Sequence, residues 1–178
     1  MNKAVIGVVA GIVVILVGVG VCYYLYTQGK LPLPAALTNL IVKTRNVKKI
    51  KITSPTFIHC NVNIIDYTGK KLGLADLTAT QSSTYAKDLV NNGPNRMIDD
   101  DPTGMNHTAN ESGDWALLEF KVPTKIKSVE IIGRSTWPSR QNGVKIELYD
   151  ETGVAFKSWV MTGVVSTKFD VKDEDYKL

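Results

Sequence analysis

Two textures divide the chain. Residues 4–26 are apolar residues, glycine, cysteine or tyrosine without a single charge, whereas from residue 47 onward apolar and polar positions alternate. The first run is 23 residues long. As a helix it measures about 34 Å at the usual rise, against a hydrocarbon core of about 30 Å. A helix satisfies all its backbone groups internally, as lipid requires. A cleaved secretory signal is the rival reading. It wants an apolar core of about 7–15 residues and a small-x-small cleavage site, whereas this run is longer and ends in Tyr23, Tyr24 and Tyr26, residues suited to the membrane interface. The pattern predicts a retained single-pass anchor over residues 1–26. Within it, Gly7 and Gly11 have the small-xxx-small spacing of close helix packing, or simply the high glycine content of membrane helices. Cys22 is a buried thiol or an acylation site.

Residues 27–46 carry Gly29, Pro32 and Pro34, which stop a helix and predict a semi-extended spacer. The alternating pattern then predicts strands over residues 47–52, 62–65, 115–122, 126–132, 144–149, 154–160 and 168–171. Turn residues separate them: Ser54 and Pro55, Asp66 to Gly69, Pro123, Pro138, Asn142 with Gly143, and Thr152 with Gly153. Residues 62–69 and 144–153 echo each other as a strand followed by an aspartate turn. Many short strands and no strong amphipathic helix beyond the anchor predict an antiparallel β-sandwich over residues 47–178, with a short acidic C-terminal tail.

Charge sharpens that division. The net charge is +4, but Lys3, Lys30, Lys43, Arg45, Lys48, Lys49 and Lys51 all lie beside the apolar run or just after it. From Ile52 onward 14 basic residues face all 17 acidic ones. The basicity is therefore membrane-proximal, and Lys30, Lys43, Arg45, Lys48 and Lys49 are expected to face anionic lipid headgroups, each worth about 1 kcal/mol. Nucleic acid is not an expected partner. More positive charge follows the anchor than precedes it, which leans the domain towards the cytosolic side. Two sequons, beginning at Asn106 and Asn110, would matter only if the domain were lumenal. The two cysteines, Cys22 and Cys60, leave the domain without an internal disulfide. Hydrolase, phosphate-loop, zinc-protease and dinucleotide motifs are missing, and two histidines are too few for a histidine-based metal centre, so no enzyme is expected.

Residues 79–85, 97–102, 106–109, 115–120 and 126–131, with Arg134 and residues 142–146, resemble in order and spacing the discoidin (coagulation-factor C-type) and fucose-lectin superfamily of galactose-binding-like sandwiches. The resemblance covers about half of the chain. It implies a jelly roll of about eight strands. It also implies a sugar site in which His107, Arg134 and Arg140 grip hydroxyls while Trp137 stacks on the ring; the alternative is that His107 and Arg134 hydrogen-bond loop backbone. From the family's acidic loop it implies a Ca²⁺ held by Asp99, Asp100 and Asp101 beside Asn92, or else a solvated turn. Two functions are expected from this. One is a non-catalytic structural tether that binds neighbouring proteins beside a membrane, of the kind that links internal membrane to capsid in large DNA viruses. The other is a membrane-anchored lectin or adhesin.

Overall fold

The computed structural model describes residues 44–101, 103–111 and 113–178. The anchor expected at residues 1–26, and the linker up to Lys43, lie outside the described residues. Among those described, no helix is long and apolar enough to cross a membrane.

The alternating segments form strands whose apolar side faces one core. In β1 (Val47–Thr53), Ile50 and Ile52 point inward while Lys49 and Lys51 point outward. Ile50 lies opposite Leu118 on one side and Leu148 on the other, and Ile52 opposite Ala116 and Ile146. Neighbouring strands thus present their buried residues to the same side, which is what fixes the register. The remaining strands are β2 (Cys60–Asp66), β3 (Lys71–Leu72), β4 (Leu77–Gln81), β5 (Trp115–Thr124), β6 (Ile126–Gly133), β7 (Lys145–Tyr149), β8 (Ala155–Val160) and β9 (Ser166–Asp170). They make a five-stranded sheet, β4-β5-β1-β7-β8, and a four-stranded sheet, β3-β2-β6-β9. Every pairing is antiparallel. One core of buried side chains draws on both sheets, so the domain is mainly β with the build of a sandwich. Its larger members, among them Ile50, Leu118, Phe120 and Ile131, are each worth about 1.5–3 kcal/mol of burial.

The structure departs from the predicted elements in several ways: β3 and β4 were not among the predicted strands. Pro123 does not end its strand: β5 continues to Thr124. The pairing between β1 and β5 is irregular between Val47 and Lys49, opposite this stretch, so the N–H that proline lacks is not missed from a regular ladder. The short acidic C-terminal tail packs onto the fold. Tyr176 is wholly buried, its hydroxyl donating to the carbonyl of Ile126 (2.7 Å) and accepting from the N–H of the same residue (2.9 Å).

The echo between residues 62–69 and 144–153 is a shared turn. Asp66 Oδ1 accepts from the N–H and hydroxyl of Thr68 and from the N–H of Lys70; Asp150 Oδ1 accepts in the same way from Thr152 and Val154. Gly69 and Gly153 close these turns at φ +90° and +82°, where glycine alone is unstrained.

Strand direction defines two ends. Loops 54–59, 82–114, 134–144 and 161–165 gather at one end, here called the loop end. The chain enters at the opposite end, the base. There Thr44 bridges to Lys177, and the N–H of Arg45 donates to the carbonyl of Tyr176 (2.9 Å).

Candidate functional site

The loop end gathers aromatic and basic side chains from three loops. His107 is fixed through its backbone: its N–H donates to the carbonyl of Asn92 (3.0 Å), and its own carbonyl accepts from the N–H of Tyr85 (2.9 Å). Its ring is sandwiched between His59 (centroids 4.4 Å apart, planes at 13°) and Tyr85 (4.5 Å, 21°), with Phe57 tilted alongside at 5.2 Å. The guanidinium of Arg140 lies 3.6 Å from the ring centroid of Trp137 and 4.8 Å from that of Phe57. Arg134 approaches Trp137 at 5.1 Å. Stacking on aromatic faces is worth about 0.5–1 kcal/mol per exposed pair. It holds the arginine planes while leaving their N–H groups at the rim.

Local sequence explains the placement. Residues 138–141 make a single turn with Pro138 at its start, which carries Arg140 back towards Phe57. Gln141 packs where a Cβ on Gly133 would stand, and its amide donates to the carbonyl of His59 (3.2 Å). On the longer loop, Asp88 caps the one-turn helix α1 (Leu89–Asn92) by accepting from the N–H groups of Val90 and Asn91. Gln81 secures that loop to β4, donating to Thr84 Oγ1 and to the carbonyl of Asn92 (both 3.0 Å) and accepting from Asn106.

Electrostatics keep both imidazoles neutral. Burial, and then the charges of His107, Arg134 and Arg140, lower the pKa of His59 to about 4. Burial followed by Arg140 and Arg134 lowers that of His107, with Asp114 pulling the other way. Beside the two imidazoles, positive charge therefore resides on the arginines. Among the described residues neither Arg134 nor Arg140 forms an ion pair with a carboxylate or a side-chain hydrogen bond. On the loops of the same end, Tyr85 (51% exposed), Leu89 (68%), Val90 (80%) and Trp137 (47%) stand out into solvent.

The four residues that the resemblance assigned to a sugar site, His107, Arg134, Trp137 and Arg140, thus lie at one end of the sandwich. Phe57, His59 and Tyr85 join them without having been singled out. Phe57 and His59 carried no signal beyond being aromatic within turn-rich segments, while Tyr85 ends residues 79–85 of the family likeness without an assigned role.

The acidic loop does not fit a cation. Arg96 Nη1 bonds Asp99 (2.6 Å) and its Nη2 bonds Asp101 (2.9 Å), while Asp100 pairs with Lys71 (2.6 Å). Asp101 Oδ1 also repeats the turn of Asp66 and Asp150, accepting from the N–H and hydroxyl of Thr103. The Asn92 side chain donates towards the carbonyl of Tyr85. Ca²⁺ would have to displace a guanidinium from two carboxylates. Among the described residues, no group of three acidic, histidine or cysteine side chains forms a metal cage.

Of the residues expected at a lipid surface, Lys30 and Lys43 lie outside the described residues. Arg45 is engaged at the base by the carbonyl of Lys177, by Asp150 at 3.9 Å and by the ring of Phe156. Lys48 donates to the carbonyl of Phe120 (2.7 Å) and pairs with Glu119. Lys49, with Lys51, Trp115, Leu117 and Tyr149, lines a groove of about 390 Å³ on the outer face of the five-stranded sheet, which includes none of the aromatic and arginine cluster. Asn106 of the first sequon is fully buried, bonded to the N–H of Cys60 and to Gln81, so a glycan there is incompatible with the fold. Asn110 is exposed. Cys60 is buried, and that burial pushes its thiol pKa up to about 12, far from reactivity.

No protein-family model, curated protein or solved structure matches this chain.

Proposed function

We propose that the protein is a non-catalytic, single-pass membrane protein whose galactose-binding-like jelly roll binds a neighbouring protein as a structural tether. A link between an internal membrane and the capsid shell of a large DNA virus is the setting that suits it best. The five-over-four antiparallel strand order supports the jelly roll. The observation that carries the function is the polarity of the domain. The chain enters at Thr44 on the base, while the exposed aromatic and arginine cluster occupies the opposite end. A domain held at its base presents that cluster outward. Tryptophan, tyrosine and arginine are the residue types that dominate protein interfaces.

Protease treatment of sealed vesicles tests the topology. Digestion of the domain from the cytosolic side, with Asn110 unglycosylated, supports the tether. A protected domain, or a glycan on Asn110, removes it. Co-purification with capsid or envelope components then identifies the class of neighbour.

The gathering of His107, Arg134, Trp137 and Arg140 favours a second reading, a membrane-anchored lectin or adhesin. Charged donors bond hydroxyls strongly, and Trp137 offers a stacking face. A glycan array decides: no binding, or binding unaffected by His107→Ala and Arg134→Ala, eliminates this alternative.

A further inference from the structure

We infer that the loop end docks an acidic, apolar-bearing segment of a partner protein, with its carboxylates on Arg134 and Arg140 and its apolar side chains on Trp137, Tyr85, Leu89 and Val90. The inference rests on the tether reading for its biological setting and on three observations for its chemistry.

The first is uncommitted charge. Arg134 and Arg140 pair with no carboxylate among the described residues, although the chain from Ile52 onward holds more acidic residues than basic ones. The acids nearby are already engaged. Asp114 accepts from Ser82 (2.9 Å), Ser83 (3.1 Å) and the N–H of Glu111 (3.2 Å), and Asp88 caps α1 and accepts from Asn91. A guanidinium fork matches a carboxylate in two parallel hydrogen bonds.

The second is exposed apolar surface at the same end of the domain. Leu89 and Val90 project from α1, four and five positions after Tyr85, whose ring lies on His107. Side chains of this kind left in water mark interaction surfaces when they cluster, and charge at the rim with apolar anchors between is the composition of a protein interface.

The third is shape and rigidity. The cluster stands out from its loops, whereas a site for a small molecule is a cleft. Neither of the concavities of about 390 and 220 Å³ includes a residue of the cluster: Lys49 and Trp115 line one, Asn61 and Lys71 the other. Arg140 is already clamped between Phe57 and Trp137, so little side-chain entropy remains to be lost on binding.

The test uses the full chain in detergent micelles and a fluorescein-labelled Glu/Leu peptide, followed by fluorescence anisotropy. A Gln/Leu peptide, a hyaluronate oligosaccharide and a single-stranded DNA oligomer serve as comparisons. The Glu/Leu peptide is expected to bind best, and more weakly as salt is raised. Arg134→Gln combined with Arg140→Gln is expected to weaken it on the order of tenfold or more, and Trp137→Ala or the milder Trp137→Phe to weaken it in that order. Lys70→Gln with Lys168→Gln removes the same charge elsewhere and is expected to change nothing. The inference is overturned if the Gln/Leu peptide binds equally well, if the lysine pair costs as much as the arginine pair, or if hyaluronate or DNA binds more tightly. Vesicle topology is read separately: a lumenal domain that still binds the acidic peptide defeats the tether and leaves the docking surface standing.

Discussion

The imidazole of His107 lies flat on that of His59, centroids 4.4 Å apart and planes 13° apart. Two arginines sit close enough to oppose a proton on either ring. Burial first, and then the arginine charges, disfavour a proton on either ring of the stack.

A pH dependence follows. An unfolded histidine takes its proton near pH 6.5, while His59 in the fold resists until about pH 4. Between those values the unfolded chain binds a proton that the folded one refuses. Stability is accordingly full above about pH 6.5 and declines as the pH falls towards 4. For a partly buried ring the expected loss is about 1–2 kcal/mol, discounted for solvent screening. Urea midpoints should fall across this window for the native chain and fall less steeply for His59→Gln, which keeps the His107 contribution. Equal slopes in the two proteins would refute the assignment. The aspartates of the turns titrate lower, because hydroxyl and N–H donors hold the Asp66 carboxyl below its usual range.

Tyr176→Phe removes one hydroxyl but two hydrogen bonds, leaving the N–H and carbonyl of Ile126 unpaired in a dry site. A loss of about 2–3 kcal/mol is expected from the desolvation of those groups. Chemical denaturation measures it. A loss below about half a kcal/mol would mean that the C-terminal segment does not belong to the folding unit.

Gln81→Met keeps the side-chain length and removes the hub that joins β4 to the loop carrying Tyr85 and His107. Asn106 then loses its acceptor while buried. The expected cost is about 2–3 kcal/mol, with a change in the tyrosine near-ultraviolet signal as the Tyr85 ring leaves His107. An unchanged spectrum would show that the ring stack does not depend on Gln81.

Ca²⁺ is expected to leave the unfolding transition where EDTA leaves it, since Arg96 already neutralises Asp99 and Asp101. Gly104→Ala places a methyl group against the Arg96 guanidinium and is expected to destabilise by about 1–2 kcal/mol. A transition raised by several degrees in Ca²⁺ would restore the metal reading.

The strands were legible wherever burial alternates, as in the run from Val47 to Thr53 and its partners in β5 and β7. Such a pattern is local, and the core enforces it. β3 escaped because two residues carry no period, and β4 because polar threonines and Gln81 interrupt its apolar face. Pro123 suggested a turn, but an irregular stretch of pairing tolerates it. At the loop end, His107, Arg134, Trp137 and Arg140 were marked as site residues, Tyr85 lay in a segment of family likeness without an assigned role, and Phe57 and His59 were not marked. Their meeting depends on three loops closing over one another across long sequence separations, which no local pattern encodes. The aspartate loop shows the opposite imbalance. Its carboxylates are conspicuous in the sequence, while Arg96, which engages two of them, reads there as an ordinary surface cation.

The position of β1 has a mechanical consequence. It is the middle strand of its sheet, hydrogen-bonded to β5 and β7 along its length, and it runs from the base at Thr44 to the loop end. A pull applied at Thr44 against a load held at the loop end acts along the strand, at right angles to its backbone hydrogen bonds. Those bonds are then strained together in shear rather than parted one at a time, so the domain should bear tension along that axis better than across it.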